Sequence, residues 1–345
     1  SYLTEQKAKE SYMRLIHIAV TALAYLSAYA LDAIPVAAQT YGVVGLSANY
    51  MRIKPDYESA LETQALMGTP VEILDTSGYW LKIRTSRPDY TAWATDMGIT
   101  AMSGSELKAY IAADKYICTV LFAEMYDAPS KKGLRVGDLV AGDLLRISDG
   151  HKNGFLAARL PSGERVYVLK GNVSPFREWA DSRRATRENL VKTAFRFLGT
   201  PYLWGGTSSK GLDCSGLVWN TYFLNGIVLP RNASQQVHVG IEVSLDGFVP
   251  EDSEGDLLPG DLLFFGKAAT DSTSERITHV GIYTGNGHLI HSSHLVRCNS
   301  MRLGSADYYT GTPRLLHARR IVDSTGRPYD KSLYLLSNPS YFPNK

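Results

Sequence analysis

The chain has 345 residues and a net charge of +2, with 36 Lys and Arg against 34 Asp and Glu. Hydrophobic residues make up 44% of it and charged residues 20%, a composition that excludes the disordered, collagen-like and coiled-coil classes. The balanced charge gives no case for a nucleic-acid binder, which would show a clustered basic surface. Roughly 150 residues per domain predicts two or three domains.

The first segment, residues 1–38, has the pattern of a secretory signal or, alternatively, of a buried N-terminal helix. Arg14 precedes the apolar run LIHIAVTALAYLSAYA, and Ala28-Tyr29-Ala30 and Val36-Ala37-Ala38 offer two cleavage sites. The uninterrupted apolar run is too short to cross a membrane. We therefore expect no stable membrane span once the signal is removed.

Two regions of short strands follow. Residues 39–110 contain TPVEILDT, YWLKIRT and YTAWAT, runs rich in Val, Ile, Tyr and Trp that are broken by Gly, Pro, Ser and Asp. This region resembles a bacterial SH3-like barrel, and its marks are GYWLKI at 78–83 and YTAW at 90–93. Residues 111–180 have the same pattern of short strand-like runs and predict a second, more diverged barrel.

Residues 181–323 predict an α+β domain, and residues 324–345 a C-terminal tail. Apolar spacing predicts one helix over 187–198 and a second over 214–225. A helix pair followed by an antiparallel sheet is typical of the α+β class. The strand-like segments that follow the helices are 261–266, 279–285 and 288–293.

Among the three cysteines, Cys214 has surroundings that predict chemistry. A glycine-rich loop leads to it, and it begins the second helix, where free backbone N–H groups and the helix dipole favour a thiolate. The same N–H groups can stabilise an oxyanion in acyl transfer. Cys118, inside an apolar strand, and Cys298, in a polar loop, are interpreted as structural residues. The sequence therefore predicts Cys214 as a nucleophile.

Four histidines close together in the sequence offer a base and a residue that orients it. A three-residue hairpin loop with a left-handed Gly287 would bring His279 and His291 onto one sheet face. A two-residue loop would instead place Ser292 there, and the residues alone leave this open. A metal site is the weaker interpretation, because no acidic or Cys ligand stands nearby at suitable spacing. The rival candidates are His288 and His294.

Five motifs are similar, in content and order, to those of the NlpC-type papain-like cysteine peptidases of bacterial cell walls. The resemblance implies that Cys214 is the nucleophile, His279 the general base and His291 the polar residue that orients it. It implies no metal and no organic cofactor. The motifs are PYLWGG at 201–206, LDCSGL at 212–217, Pro230-Arg231 with Ser234 and Gln236, PGDLLFF at 259–265, and HVGIY at 279–283 with HLIH at 288–291.

The two upstream barrels make the layout similar to enzymes that cut the bond between γ-D-glutamate and the L-diamino acid of peptidoglycan stem peptides. In that subgroup the first barrel supplies a Tyr and an acidic residue, which bind the free amino group of an N-terminal L-Ala. Tyr90 and Glu62 match these positions, with Glu58 as a rival and a solvated surface charge as the other interpretation of Glu62.

Further residues match positions that line the dipeptide pocket of the subgroup. Packing or helix capping is the structural alternative for them, and Asp213 stands where it could cap a helix. The segment around Ser234 departs from the subgroup's usual acidic-plus-Ser pair. The matching residues are Tyr202, Trp204, Asp213, Ser215 and Ser234.

The resemblance thus implies a cysteine endopeptidase that is periplasmic or secreted in the bacterial cell envelope. Its expected partners are peptidoglycan-derived peptides with a free N-terminal L-Ala, its product is L-Ala-γ-D-Glu, and we expect it to be a monomer. Two alternatives stay open. One is an amidase or acyltransferase of the same fold on another substrate, and the other is a non-catalytic wall-binding protein. The sequence leaves open whether the diamino acid is diaminopimelate or Lys.

Overall fold

The computed structural model describes residues 40–86, 88–250 and 255–343. The predicted signal-like segment 1–38 lies outside these residues. Within the described ranges the protein forms three large antiparallel sheets and five α-helices.

The first sheet forms from short alternating segments. In β5, for example, Leu81, Ile83 and Thr85 are buried while Arg84 is exposed, the period of two expected for a sheet with one covered face. Helix α1 (Gly104–Ala112) follows the sheet and begins with a capping box. The strands are β1 (Tyr41–Val44), β2 (Asn49–Arg52), β3 (Leu61–Ala65), β4 (Pro70–Ser77), β5 (Trp80–Ser86), β6 (Asp89–Thr95) and β7 (Ile99–Met102).

The second sheet repeats the topology of the first. The first has the order β3-β2-β6-β5-β4-β1-β7 and the second β10-β9-β13-β12-β11-β8-β14, so each strand is replaced by the one seven places later. In both of these described sheets the first and last strands of the order do not pair with each other, so the pairing is open. A second copy of the topology, as predicted, is therefore present. Its strands are β8 (Lys115–Cys118), β9 (Phe122–Tyr126), β10 (Arg135–Val140), β11 (Leu144–Lys152), β12 (Phe155–Arg159), β13 (Arg165–Leu169) and β14 (Val173–Pro175).

The α+β part follows, and its central helix is buried on all sides. Every residue of α4 (Cys214–Phe223) is buried, so this helix lies in the core rather than on the surface. The predicted helices exist but end earlier, at Phe195 and Phe223. The other helices are α2 (Phe176–Asp181), α3 (Arg187–Phe195) and α5 (Ala233–Gln236).

A six-stranded antiparallel sheet in the order β17-β22-β18-β19-β20-β21 packs against α4. Cys298 belongs to β21, so its assignment to a polar loop was wrong. In β21 the polar Asn299 and Ser300 are buried while the apolar Leu295 is exposed, so residue types there do not follow the alternation that marks a strand. The remaining strands are β15 (Thr207–Ser208), β16 (Gly211–Leu212), β17 (Ile241–Val243), β18 (Leu262–Lys267), β19 (Arg276–Gly285), β20 (His288–Ser293), β21 (Leu295–Ser300) and β22 (Leu315–Arg320).

The apolar core around α4 extends beyond the α+β part. It includes Val140 and Leu144 of the second sheet, and Tyr341 and Phe342 near the C-terminus. The Phe342 ring stacks on that of Phe176 with ring centres 4.8 Å apart. The predicted C-terminal tail thus contributes side chains to the core.

The hairpin between β19 and β20 decides which histidines share a face. Its loop has two residues, Asn286 and Gly287, with φ of 51° and 67°, and Gly285 pairs with His288. The hairpin therefore has the two-residue loop and not the three-residue loop. An irregularity between Tyr283 and Gly285 shifts the register by one residue, so Ile282 pairs with Ile290. The bulge restores the arrangement in which His279 and His291 lie on one face.

Candidate active site

The candidate nucleophile Cys214 begins helix α4. Asp213 caps the helix, since its carboxylate accepts a hydrogen bond from the backbone N–H of Gly216 at 2.7 Å. A Cβ on Gly216 would lie 2.0 Å from the carbonyl oxygen of Gly206, so only glycine allows the loop to approach this closely. The loop and the capped helix together fix the position of Cys214.

The Cys214 sulfur is buried, and this burial changes its acidity. Burial raises the pKa of the thiol to about 11, and the neighbouring Asp213 carboxylate acts in the same direction. The backbone N–H groups of Ser215 and Val280 hydrogen-bond to the sulfur and lower the pKa, but by less. The helix start thus lowers the pKa, in the direction predicted, but in the free protein the cost of burying a charge exceeds this stabilisation of the thiolate.

The contact with Val280 also places the candidate base, because His279 precedes Val280 in strand β19. Burial lowers the pKa of His279 to about 3, and the charges of His291 and Arg314 lower it further. Near neutral pH the free protein thus holds a thiol at Cys214 and a neutral imidazole at His279, the residue next to Val280. Such a pair carries no charge until the thiol proton moves to the imidazole.

A series of hydrogen bonds fixes the tautomers of the two histidines. Asn299 donates from Nδ2 to the carbonyl oxygen of Asp307 at 2.6 Å, which leaves its Oδ1 to accept from Nε2 of His291 at 2.9 Å. Nδ1 of His291 must then accept from Nε2 of His279, which lies 2.8 Å away. His279 therefore keeps its Nδ1 unprotonated, and this atom can take a proton from a thiol.

Sequence reasoning missed both Asn299 and Tyr309 at this site. The Tyr309 ring lies edge-on to His291, with ring centres 4.5 Å apart, and 5.7 Å from His279. Burial raises its pKa. Asn299 meets His291 only through the pairing of β20 with β21, so no local sequence signal marks it. Tyr309 lies in a segment between strands, and no motif identified it.

A cavity of about 350 Å³ opens beside Cys214. Trp204 is largely exposed at the cavity, while Asp213 and Ser215 are buried. The structure thus brings every residue predicted to bind substrate to one place. The predicted residues in the lining are Glu62, Tyr90, Tyr202, Trp204, Asp213, Ser215 and Ser234.

The first sheet contributes two of these side chains as a bonded pair. Tyr90 donates its hydroxyl to the Glu62 carboxylate at 2.6 Å. Burial raises the pKa of Tyr90, and the hydrogen bond to Glu62 raises it further. The rival Glu58 is exposed and does not line the cavity. The structure therefore favours Glu62 as the carboxylate at this end of the cavity.

Backbone and side-chain hydrogen bonds hold the first sheet against the loop before α4. The side-chain oxygen of Gln64 accepts from the backbone N–H of Thr207 at 2.8 Å, and the Gln64 carbonyl accepts from the Thr207 hydroxyl at the same distance. A Cβ on Gly205 would meet Leu61 at 2.9 Å, so the two parts approach closely here too. These contacts bring Glu62 and Tyr90 to the Cys214 cavity.

Arg231 is a buried residue whose role sequence reasoning missed. Its guanidinium forms an ion pair of 2.6 Å with the Asp213 carboxylate and donates to the Ser215 hydroxyl at 2.9 Å. Its Nε donates to the Thr63 hydroxyl of the first sheet at 2.8 Å. The Pro230-Arg231 motif was the available signal. Arg231 ties the cap of α4 to the first sheet.

The rival histidines take no part in the hydrogen bonds that join His279, His291 and Asn299. His288 is at the hairpin turn, where its ring contacts the carbonyl oxygen of Asn286, and His294 is exposed. In the part of the protein that the structure describes, no group of three or more His, Cys, Asp or Glu side chains could hold a metal ion. Nor does any described helix have the length and apolar character to cross a membrane.

Two family models match the protein. Residues 199–315 match the NlpC/P60 family, and residues 51–96 match the bacterial dipeptidyl-peptidase Sh3 domain. A γ-D-glutamyl-L-lysine dipeptidyl-peptidase from Bacillus cereus is 30% identical over 239 residues, which cover 67% of each chain. The chain belongs to the NlpC/P60 family. It is a cysteine peptidase with an SH3-type region before its peptidase region.

A further relative agrees with this assignment, and a solved structure shares the fold. Dipeptidyl-peptidase 6 from Lysinibacillus sphaericus is 28% identical over 73% of this chain and 86% of its own. A crystal structure of an NlpC/P60 family protein from Bacillus cereus superposes with a TM-score of 0.67 at 24% identity, and the match covers 81% of this chain and 99% of the other. That likeness extends the shared fold across most of the described residues.

Proposed function

We propose that this NlpC/P60 peptidase hydrolyses the bond between γ-D-glutamate and the L-diamino acid of peptidoglycan stem peptides that have a free N-terminal L-Ala. The observation that carries the proposal is the cavity that joins Cys214 to the Tyr90–Glu62 pair of the first sheet. The names of the Bacillus and Lysinibacillus relatives support it. The product is the dipeptide L-Ala-γ-D-Glu.

The Tyr90–Glu62 pair provides the basis for selecting a free amino terminus. A carboxylate attracts an ammonium group, and a hydrogen bond from Tyr90 holds this carboxylate in place. An acylated terminus has no charge and adds bulk at the end of the cavity. A stem peptide that is still attached to glycan would therefore bind poorly.

The reaction follows from the neutral Cys214–His279 pair. Nδ1 of His279 takes the thiol proton as the Cys214 sulfur attacks the carbonyl carbon, and backbone N–H groups at the start of α4 face the developing oxyanion. The imidazolium then gives this proton to the leaving amine, and the C–N bond breaks to form a thioester. Water, deprotonated by His279, hydrolyses the thioester and restores the thiol as the dipeptide leaves.

The proposal extends to the cellular location, the oligomeric state and the domain organisation of the protein. The protein acts in the cell envelope, periplasmic or secreted, as a monomer on peptidoglycan-derived peptides, either in turnover of the wall or in recycling of its fragments. Its predicted parts are a signal-like segment 1–38, SH3-like regions at 39–110 and 111–180, and a peptidase region at 181–323 followed by the C-terminal segment 324–345.

The proposal is tested by mass spectrometry of the products from L-Ala-γ-D-Glu-diamino acid peptides, with a free or an acetylated N-terminus. We expect release of the dipeptide from the free peptide and little cleavage of the acetylated one. A Cys214→Ala variant is the control for contaminating peptidases. Equal cleavage of both peptides would contradict the amino-terminal selection, and absence of cleavage would contradict the activity.

A further inference from the structure

A second cavity borders His279. It has a volume of about 500 Å³, and its lining includes His279, Arg297, Asp307 and Arg314. Thr278 lines both this cavity and the one beside Cys214, so the two cavities adjoin at strand β19. We call the second one the His279 cavity.

The chemistry of the reaction assigns a side to each part of the substrate. The acyl part bonds to the sulfur and lies in the cavity that Cys214 lines. The leaving amine must receive its proton from His279, so it lies within hydrogen-bond reach of that imidazole. The residue that carries the leaving amine therefore enters the His279 cavity.

Two arginines give the His279 cavity a positive charge. Nε of Arg297 is buried, and it has no hydrogen-bond partner among the described residues. Among the same residues, neither Arg297 nor Arg314 forms an ion pair with a carboxylate. The positive charge of Arg314 also lowers the pKa of His279, so the positive potential reaches the catalytic centre.

We propose that Arg297 and Arg314 bind a carboxylate in the side chain of the leaving residue and thereby favour diaminopimelate over lysine. The side chain of diaminopimelate ends in a carboxylate and an ammonium, whereas that of lysine ends in an ammonium alone. Arginine binds carboxylates through several charged hydrogen bonds, and it repels a lone ammonium. Asp307 in the same lining suits the ammonium of diaminopimelate.

The inference rests on the proposed function, because it names the diamino acid of that reaction. Two relatives, from Bacillus cereus and Bacillus subtilis, are named for L-lysine. The preference proposed for this protein differs from those names. It rests on Arg297, Arg314 and Asp307, residues at positions that the motif comparison of the sequence did not include.

The test compares kcat/KM for L-Ala-γ-D-Glu-diaminopimelate and L-Ala-γ-D-Glu-lysine. We expect the wild type to prefer the diaminopimelate peptide by about tenfold to a hundredfold, the effect of one or two charged hydrogen bonds. Arg297→Gln and Arg314→Gln should each lower this ratio about tenfold or more. The ratio of the two kcat/KM values is the readout, because a changed charge near His279 alters the rate of the chemical step equally for both peptides. Arg165→Gln, an exposed arginine of the second sheet, is the matched control.

Three results would overturn the inference. They are equal rates on the two peptides in the wild type, ratios unchanged in both arginine variants, or an arginine dependence that disappears when the α-carboxyl group of the diamino acid is amidated. The last result would show that the arginines bind the α-carboxylate at the end of the peptide backbone and not a side-chain carboxylate. Release of the dipeptide from neither peptide would instead contradict the proposed function itself.

Discussion

Nε2 of His279 and Nδ1 of His291 lie 2.8 Å apart, joined by a hydrogen bond between neighbouring strands. Because Asn299 accepts from the other nitrogen of His291, His279 is the donor in this bond. The arrangement leaves a single lone pair on His279, at Nδ1, available to the thiol. Activity should therefore depend on every group that sets these two tautomers.

Replacement of His291 by Ala should lower kcat by about 10²-fold to 10⁴-fold, because His279 loses the acceptor that holds its ring and tautomer. Steady-state kinetics on the free-amine peptide measure this. His288→Ala is the matched control, since His288 lies at the hairpin turn and should leave the rate close to that of the wild type. An equal loss in both variants would contradict the assignment of His291.

Asn299→Asp should move the acidic limb of the kcat/KM profile to higher pH. Burial lowers the pKa of His291 to about 4, and a carboxylate at position 299 would raise it by favouring the imidazolium. A protonated His291 donates from Nδ1, and His279 then has to accept at Nε2, so its proton moves to Nδ1 and blocks the base. Rates measured across the acidic range test this. A profile with an unchanged acidic limb and a uniformly lower rate would show that Asn299 only supports the fold.

The histidine pair should also make stability depend on pH. The pKa values of His279 and His291 are lowered to about 3 and about 4, whereas a histidine in the unfolded protein has a pKa of about 6.5. Below that value the unfolded state binds more protons, so the free energy of unfolding falls as the pH is lowered from about 6.5 towards 4. Above about pH 6.5 neither histidine contributes. Urea denaturation should show a shallower decline for His291→Asn, and parallel curves for the two proteins would contradict this account.

Glu62→Gln should raise KM for peptides with a free amino terminus and reduce the preference over acetylated peptides. The change keeps the size of the side chain and removes the charge that faces the ammonium. About tenfold is expected for the loss of one charged hydrogen bond. Glu58→Gln is the control, because Glu58 is exposed and does not line the cavity. Equal effects of the two variants would place the amino group elsewhere.

Arg231→Met should destabilise the protein by about 3–5 kcal/mol, because it leaves the Asp213 carboxylate buried without its partner. It also removes the bond to Thr63, so activity should fall with stability. Arg84→Met is the matched control, since Arg84 pairs with Asp89 at 2.8 Å on an exposed surface and its loss should change stability little. Urea denaturation measures the stability of both variants. Equal denaturation midpoints for Arg231→Met and Arg84→Met would contradict a structural role for Arg231.

Much of the site could be predicted from the sequence, because its chemistry is encoded in short motifs. Cys214 at a helix start after a glycine-rich loop, and a histidine opening a strand, each depend on local residues. Short runs rich in Val, Ile, Tyr and Trp, broken by Gly, Pro, Ser and Asp, predicted the strands of the first sheet for the same reason. The same pattern of short strand-like runs in residues 111–180 corresponds to a second sheet with the strand order of the first.

Interactions between distant segments could not be predicted in this way. The register of His279 and His291 depends on a bulge that compensates for a two-residue loop, and Asn299 joins them only through the next strand pair. The pKa of Cys214 is raised because the surrounding fold buries the thiol, a cost that a motif does not encode.

The sequence by itself determined which groups could react, since residue type and local backbone conformation set the chemistry of a nucleophile and a base. Only the tertiary structure decided which groups meet. It paired Glu62 rather than Glu58 with Tyr90 at the cavity, and it placed Arg297 and Arg314 beside His279. Contacts of this kind depend on how strands and sheets that are separated in the sequence pack together, and burial then sets the charge that each group carries.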